Sequence, residues 1–418
     1  MCFCEQVCKQ VIPIIPARQQ IAAFELGTRE FNRTWHGTLV TPEQVSGGLR
    51  KRPTAVYLLQ VLCDPSLSHT PGLFDALNVL GLQGQLGFFG CLVPERYGGT
   101  EAGYLCAVLV AEEIAKVSAS YAGYFMCQAA GPPMAIHKYG REDQKEKYIR
   151  RIVSGKSLAL FAATEPDAGS DISAMRATAT EKGDYFSLTG TKTWITNITI
   201  ADVGLIWAYT DKEKRRDGIS CFIVDMANTR GIDKRKIDKM GLRCSEVGEL
   251  ALQDAEIPKE NLLGERGNGY EILLFTLSNT RLFAAARALG VAAICLEESL
   301  KYARERIQFG QPIGEFQMIQ NQLAEMYIEN EAARALVYQV ARDKDRGLNN
   351  ITDLAVAKYF ACEAGIKAAL TAMKVYSSYG FSLEYPIHRY VRDAMAFPIT
   401  EGTANIQKVI IARSILKK

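Results

Sequence analysis

One carboxylate near the end of the chain has neighbours that suit proton abstraction next to a carbonyl group. Glu401 follows a run of mixed apolar and polar residues at 396–400 and directly precedes Gly402. Apolar residues at helical spacing over 406–416 predict that Glu401 stands at or just before the start of a final helix. Thr403 and Asn405 offer polar side chains where the N–H groups of a helix start lack partners. An acid in this setting could act as a general base.

Glu401 also has a simpler interpretation. A carboxylate at a helix N-terminus is stabilised by the positive end of the helix dipole, whatever else it does. The local sequence alone favours this simpler interpretation. A catalytic role therefore needs support from features elsewhere in the chain.

Length and composition are those of a globular protein with two or three domains. The 418 residues are 48% hydrophobic and 23% charged, so a sizeable core is expected. The net charge of +3, from 49 basic and 46 acidic residues, gives no argument for nucleic acid as a partner. No apolar run reaches the ~18 residues that a membrane span requires. The first residues lack the pattern of a secretory signal, so we expect a protein that is not secreted.

The cysteines point to a reducing compartment. There are eleven, an odd number, scattered among mostly apolar neighbours. Buried free thiols are typical of a bacterial cytoplasm or a mitochondrial matrix, and we expect one of these. Cys2, Cys4 and Cys8 form the one close group, and no second pair of ligands stands near it. No metal site is therefore predicted.

The period of the hydrophobic pattern changes twice. Residues 71–157 read as helices, among them a single buried helix over 120–135. Residues 158–269 alternate over short segments, which predicts an antiparallel β-domain in which residues 185–192 form two strands around a turn. Residues 270–418 return to helical spacing and predict an antiparallel bundle. Residues 1–70 show no long amphipathic pattern and form an atypical N-terminal segment.

Five motifs lie within these segments. They are a loop of small and hydroxyl residues at 161–171, a strand segment at 192–197, a helix segment at 278–281, a charged segment at 304–317 and a segment at 374–381. Each motif has an ordinary structural interpretation in isolation, such as a turn, a core tryptophan or a helix end. Two of them could also bind a ligand: the loop at 161–171 could present backbone N–H groups to a polar ligand, and the ring of Trp194 beside Thr196 suits a flat heterocycle.

With residues 401–403, the order of these motifs over 72–418 resembles the acyl-CoA dehydrogenase family. The chain is most similar to its short-chain, glutaryl-like or alicyclic members. The resemblance implies an α+β protein with an N-terminal helical domain (71–157), a central antiparallel β-barrel domain (158–269) and a C-terminal four-helix bundle (270–418). This sequence departs from the family's pattern at Ser278, where Asp is common, and at Ser377 and Ser378, where paired glycines are common.

The resemblance implies FAD as cofactor and a thioester of coenzyme A as substrate. Residues at the matching positions would contact the cofactor: Phe161, Ala163, Thr164, Ser170, Trp194, Thr196, Arg306, Gln308, Phe309, Gln317, Ser377, Ser378, Thr403 and Asn405. A smaller set would contact the substrate: Ser170, Ser278, Asn279, Arg281 and Gly402.

The implied reaction makes Glu401 the catalytic base. Glu401 would remove the α-proton of the acyl group while a hydride passes from the β-carbon to flavin N5, giving a trans-2-enoyl-CoA. Electron-transferring flavoprotein would reoxidise the flavin. Arg306, Gln308 and Phe309 would reach the FAD of a neighbouring subunit, which implies a homo-oligomer and usually a tetramer.

Three other functions stay open on the same residues. An acyl-CoA oxidase shares the base and the flavin, an enoyl-CoA reductase runs the same chemistry in reverse, and an inactive relative could serve as an assembly protein. The acyl group is a separate question. Glutaryl-CoA members hold the distal carboxylate with an arginine in the second helical region, and Ala122 stands at that position here. We therefore expect a short or cyclic, uncharged acyl group.

Overall fold

The computed structural model describes residue 81 and residues 83–417. The predictions for residues 1–70, including the group of Cys2, Cys4 and Cys8, and for the first part of the helical segment, 71–80, lie outside the described residues. Within them the chain runs through a helical block, a sheet and a second helical block, as the sequence predicts.

Four helices of the first helical block lie within residues 103–153 of the described chain. Two short 3-10 turns, Phe88–Gly90 and Glu95–Tyr97, come before them. The helices are α1 (Gly103–Val117), α2 (Ala119–Ala129), α3 (Pro132–Tyr139) and α4 (Glu142–Val153). The predicted single helix over 120–135 is wrong, because Gly131 leaves the helical region (φ −85°, ψ −108°) and Pro132 starts a new helix. All of α2 is buried, so it forms the centre of this block.

The middle block is one eight-stranded sheet. Its strands are β1 (Ala159–Ala162), β2 (Thr178–Lys182), β3 (Tyr185–Thr196), β4 (Val203–Tyr209), β5 (Ile219–Asp225), β6 (Ile232–Lys236), β7 (Val247–Pro258) and β8 (Leu262–Leu263). The strand order is β6-β7-β3-β2-β4-β5-β8, and β1 pairs with β4 beside this path.

Three predictions for this sheet need correction. The sheet is mixed rather than antiparallel, because β1 and β2 both pair with β4 in parallel. The strand path is open between β6 and β8 in the described residues, so the predicted barrel is not closed. Residues 185–192 belong to the single strand β3, in which the register shifts at Gly190. Gly190 has φ 150° and lies against Ala177, so it forms a bulge where a turn was predicted.

The last block is built around one long helix. It contains α5 (Gly269–Glu305), a hairpin of β9 (Ile307–Gln308) and β10 (Gln311–Pro312), α6 (Gln317–Asp345), α7 (Ile351–Tyr376), α8 (Ser378–Phe381), α9 (Ile387–Ala394) and α10 (Ala404–Leu416). Helices α5, α6 and α7 pack against one another, and α10 packs on α7. Helix α5 also contacts α1 and α2, so it joins the two helical blocks. In the described part of the chain, no helix combines the length and the apolar character needed to cross a membrane.

A buried ion pair ties the loop after β1 to the middle of the sheet. Lys192, on β3, has no solvent exposure, and its Nζ lies 2.7 Å from Glu165 Oε1. Burial lowers the pKa of Lys192, and the charge of Glu165 opposes this shift. Glu165 also accepts hydrogen bonds from the backbone N–H groups of Arg176 and Ala177. Because both charges are paired, the loop at 163–168 has a fixed position against β3.

We expect Lys192→Met to lower the free energy of unfolding by about 3–5 kcal/mol, because it leaves the Glu165 carboxylate buried without its cation. Chemical denaturation of the purified variant measures this loss. Lys236→Met is the matched control, since Lys236 pairs with Glu246 at 3.1 Å with a side chain that is 51% exposed. The control should lose no more than about 1 kcal/mol. Equal losses in both variants would contradict a structural role for the buried pair.

Candidate active site

The turn that carries Glu401 has an unusual backbone. Glu401 has φ 57° and Gly402 has φ 88°, so two successive residues lie in the left-handed region. This conformation costs a non-glycine residue roughly 1–2 kcal/mol. The final helix α10 starts three residues after Glu401, which confirms the predicted position of Glu401 just before it. A strained residue of this kind persists only when surrounding contacts hold it.

Three buried side chains hold the main chain of this turn. Arg281 Nε donates to the carbonyl of Glu401 at 3.0 Å. Lys358 Nζ and Gln407 Nε2 donate to the carbonyl of Gly402 at 2.8 Å and 2.9 Å. These donors come from α5, α7 and α10, so the turn is fixed where three helices meet.

The carboxylate of Glu401 has its own partner. The hydroxyl of Thr280 donates to Glu401 Oε2. Thr280 and Arg281 are neighbours on α5, so one residue holds the side chain of Glu401 and the next holds its carbonyl. Glycine is favoured at position 402 by its φ of 88°, and a Cβ there would also lie 2.7 Å from Gln407 Nε2. Thr403 then starts α10 by accepting a hydrogen bond from the N–H of Ile406 at 3.3 Å.

The charge of Glu401 acts on three buried cations of the site. Burial lowers the pKa of Arg281, Arg287 and Lys358, and in each case the negative charge of Glu401 opposes the shift. A single carboxylate thus faces more positive than negative charge.

A second group of predicted site residues lies at the end of β3 and in the loop after β1. Trp194 has φ 60° and is 61% exposed, although it stands in a strand. The N–H of Thr193 donates to the carbonyl of Thr164 at 3.0 Å, so the loop and the strand lie side by side. Four more predicted site residues belong to this group. Phe161 on β1 and Thr196 on β3 are half-buried, Ala163 is buried, and Ser170 in the loop is exposed.

A third group lies around the β9–β10 hairpin at the far end of α5. Arg306 stacks on the ring of Tyr379 at 5.3 Å and lines a cavity of about 310 Å³ with Tyr302 and Tyr376. Phe309 at the hairpin tip has φ 50° and is 93% exposed. The other members of the group are exposed side chains: Gln308, Gln317, Ser377 and Ser378.

The third group is far from Glu401 within one chain. Thr280, which contacts Glu401, and Glu305, at the end of α5, are separated by ~37 Å at the rise of an α-helix. The structure therefore brings Glu401, Arg281, Gly402 and Thr403 together, but it does not bring Arg306 to them.

Two predicted substrate contacts are engaged inside the protein. The hydroxyl of Ser278 donates to the carbonyl of Phe275 at 2.7 Å within α5. The side-chain carbonyl of Asn279 accepts from Tyr104 Oη at 2.9 Å and from Lys344 Nζ at 3.2 Å. Asn405 lies exposed in the first turn of α10.

Four residues of the site were missed at the level of the sequence. Thr280 was within a recognised motif but had no assigned role. Lys358 stands in the apolar run of α7, and a lone cation in such a run is a signal for a buried partner. Gln407 follows Thr403 by four residues, which places both on one side of α10. Arg287 interrupts a run of alanines in α5, so it too is a lone cation in an apolar run, which indicates a buried partner.

Comparison with known proteins identifies the family. Three acyl-CoA dehydrogenase models match the chain: the N-terminal domain at 74–156, the middle domain at 160–255 and the C-terminal domain at 267–416. A glutaryl-CoA dehydrogenase of Desulfococcus multivorans is 47% identical over 332 residues, which are 79% of this chain and 85% of the relative.

Two further relatives agree with this result. A subunit of the caffeyl-CoA reductase-Etf complex of Acetobacterium woodii (strain ATCC 29683 / DSM 1030 / JCM 2381 / KCTC 1655 / WB1) is 38% identical over 344 residues, 82% of this chain and 90% of the relative. The solved structure of a glutaryl-coenzyme A dehydrogenase in complex with glutaryl-CoA superposes with a TM-score of 0.82 at 40% identity, covering 91% of this chain and 97% of that one. The chain belongs to the acyl-CoA dehydrogenase family.

Proposed function

We propose that the chain catalyses the α,β-dehydrogenation of an acyl-CoA thioester to a trans-2-enoyl-CoA, with Glu401 as the base. The observation that supports this best is the fixed turn at Glu401, whose carboxylate accepts a hydrogen bond from Thr280 and whose main chain is held by Arg281. A base that is held in one position has the orientation that proton abstraction from carbon requires.

FAD is the proposed cofactor. Trp194 is exposed and has a strained backbone, Thr196 follows it on β3, and its neighbour Thr193 is hydrogen-bonded to Thr164 of the loop. An aromatic plane with hydroxyl residues near it fits the flat face and polar edge of a flavin ring. The residues that would hold the ring are Phe161, Ala163, Thr164, Trp194 and Thr196, with Ser170, Thr403 and Asn405 nearer its polar groups. FAD supplies, when bound, the acceptor for the hydride that leaves the β-carbon.

The chain itself handles the proton. Hydrogens next to a thioester are weakly acidic, so the site must stabilise the negative charge that develops on the carbonyl oxygen. In the described part of the chain, the backbone N–H of Glu401 donates to no other protein group. We propose that it donates to the thioester oxygen, while the carboxylate of the same residue removes the α-proton. Arg281 and Gly402 would fix the position of the N–H of Glu401 relative to its carboxylate.

Homo-oligomerisation, as a tetramer, is part of the proposal. The ~37 Å between Thr280 and the end of α5 separates Arg306 from Glu401 in one chain. If the residues around Glu401 and those around Arg306 contact the same FAD, the residues around Arg306 must come from another copy of the chain. The 93% exposure of Phe309 supports this, since a large apolar side chain at a hairpin tip gains by burial against a partner.

Electron-transferring flavoprotein is the proposed electron partner. The name of the Acetobacterium woodii relative describes a complex with this protein. The same name makes enoyl-CoA reduction the second candidate function, since dehydrogenation and reduction share one set of residues. A reducing compartment, bacterial cytoplasm or mitochondrial matrix, suits the seven free cysteines of the described residues.

Glu401→Gln should keep FAD and lose turnover by about 10²–10⁴-fold, because the amide cannot accept the α-proton. Anaerobic mixing with acyl-CoA thioesters and recording the loss of flavin absorbance measures this rate. Glu384→Gln, a change at an exposed carboxylate of the same block, is the control and should behave as the wild type. A wild-type rate in Glu401→Gln would remove this residue from the mechanism.

Complementation tests whether two chains build each site. Glu401→Gln and Arg306→Glu chains should each be inactive alone. Co-expressed in equal amounts, they should regain about a quarter of the wild-type activity, since some sites then combine an intact Glu401 with an intact Arg306 from another chain. No regain, with mixed oligomers verified by affinity tags, would contradict a shared site.

A further inference from the structure

Two free cysteines contact each other where the turn before α1 meets the start of that helix. The thiols of Cys91 and Cys106 are hydrogen-bonded to each other. Cys91 is 3% exposed and belongs to the core, whereas Cys106 is half-buried at its edge. A disulfide can form only between cysteines that the fold already holds close together, and this pair meets that condition.

The main chain keeps the two cysteines near each other. The N–H of Gly103, the first residue of α1, donates to the carbonyl of Cys91 at 3.0 Å. The N–H of Thr100 donates to the carbonyl of Gly90 at 2.9 Å, so the segment between them folds back on itself. Cys106 follows Gly103 by three residues, less than one turn of the helix. The contact between the thiols is therefore a consequence of the backbone and not of one side-chain rotamer.

The two thiols hold their protons with different strength. The hydrogen bond from Cys91 lowers the pKa of Cys106, while burial and the charge of Asp345 oppose this shift. The same hydrogen bond, together with burial, raises the pKa of Cys91 well above its ordinary value. Cys106 also lies at the positive end of the α1 dipole, which favours a thiolate. Cys106 therefore ionises first, and Cys91 stays protonated beside it.

Access to solvent favours the same thiol. Because Cys106 is half-buried and Cys91 is buried, a small oxidant reaches the sulfur of Cys106 first. Cysteines that sense oxidants combine a low pKa, contact with solvent and a second thiol that can displace the oxidised group. Cys244 offers a comparison, since it is also half-buried but burial raises its pKa, and the groups that act on it within the described chain include no thiol.

We propose that Cys91 and Cys106 are a redox-active pair that hydrogen peroxide converts to a reversible disulfide. The thiolate of Cys106 attacks one oxygen of the peroxide, the O–O bond breaks, and Cys106 becomes a sulfenic acid while hydroxide leaves. The sulfur of Cys91 then attacks the sulfur of Cys106, and the S–O bond breaks. The hydroxyl group leaves as water with the proton of Cys91, and the hydroxide takes up the proton that Cys106 released.

The electrons balance in this sequence. Two thiols lose two electrons to become one disulfide, and one molecule of peroxide becomes two molecules of water. A dithiol such as dithiothreitol reverses the change by exchange, because its own thiolate attacks the new bond and is oxidised in turn. The proposal does not depend on the dehydrogenation, since no group of the Glu401 turn takes part in it.

Peptide mapping of the full-length protein tests the pair directly. The reduced protein is treated with one equivalent of hydrogen peroxide, alkylated and digested with trypsin without a reductant. Arg96 lies between the two cysteines, so digestion places them in separate peptides. We expect these peptides to be joined, with the loss of both free thiols, and dithiothreitol to release them. Free thiols at positions 91 and 106 after treatment, or links from either to another cysteine, would overturn the proposal.

Two variants test the order of the steps. Cys91→Ser should retain a sulfenic acid at Cys106 that dimedone labels, because the displacing thiol is gone. Cys106→Ser should leave Cys91 unlabelled, since this thiol is buried and protonated. Cys244→Ser is the control and should form the joined peptides as the wild type does. Labelling of Cys91 in folded Cys106→Ser, or none of Cys106 in folded Cys91→Ser, would contradict the attack by Cys106; circular dichroism and thermal melting verify folding.

Discussion

The site depends on a strained main-chain turn that three helices hold in place. Glu401 and Gly402 both have positive φ, and their carbonyls accept hydrogen bonds from Arg281, Lys358 and Gln407. Each donor is buried, so the hydrogen bonds do not compete with water. The packing of α5 against α7 and of α10 on α7 is thus what sets the direction of one carboxylate.

Two buried arrangements of charge in this protein have different consequences. Lys192 and Glu165 form a closed pair in which each charge has a partner, and they fix a loop to the sheet. Arg281, Arg287 and Lys358 instead share the charge of Glu401 and leave positive charge in excess. The first arrangement fixes a loop to the sheet, whereas the second includes the donors Arg281 and Lys358, which hold the main chain of the turn at Glu401.

Much of the fold followed from the period of the hydrophobic pattern. The two helical blocks and the sheet between them lie where the changes of period at 157–158 and 269–270 predict them. The break at Gly131 was missed because small apolar residues continue across it, and the strand β3 was divided because Gly190 signals a bulge as readily as a turn. Parallel pairing of β1 with β4 joins strands far apart in sequence, which local patterns do not encode.

The site was predictable only in part. Glu401, Gly402 and Thr403 were found because their motif is short and continuous. Thr280 and Lys358 contact the same turn from α5 and α7, at separations of 121 and 44 residues. Such contacts depend on how helices pack, and the sequence shows only that a polar residue stands in an apolar run.

The most direct test of the fixed turn is the rate of flavin reduction in Gln407→Leu, measured by anaerobic stopped-flow with the best bleaching thioester. This change alters no charge, and it removes one hydrogen-bond donor from the carbonyls of residues 401 and 402. If the turn orients the carboxylate, the rate constant should fall by about 10–100-fold at unchanged FAD content. An unchanged rate constant would contradict the claim that these main-chain hydrogen bonds position the base.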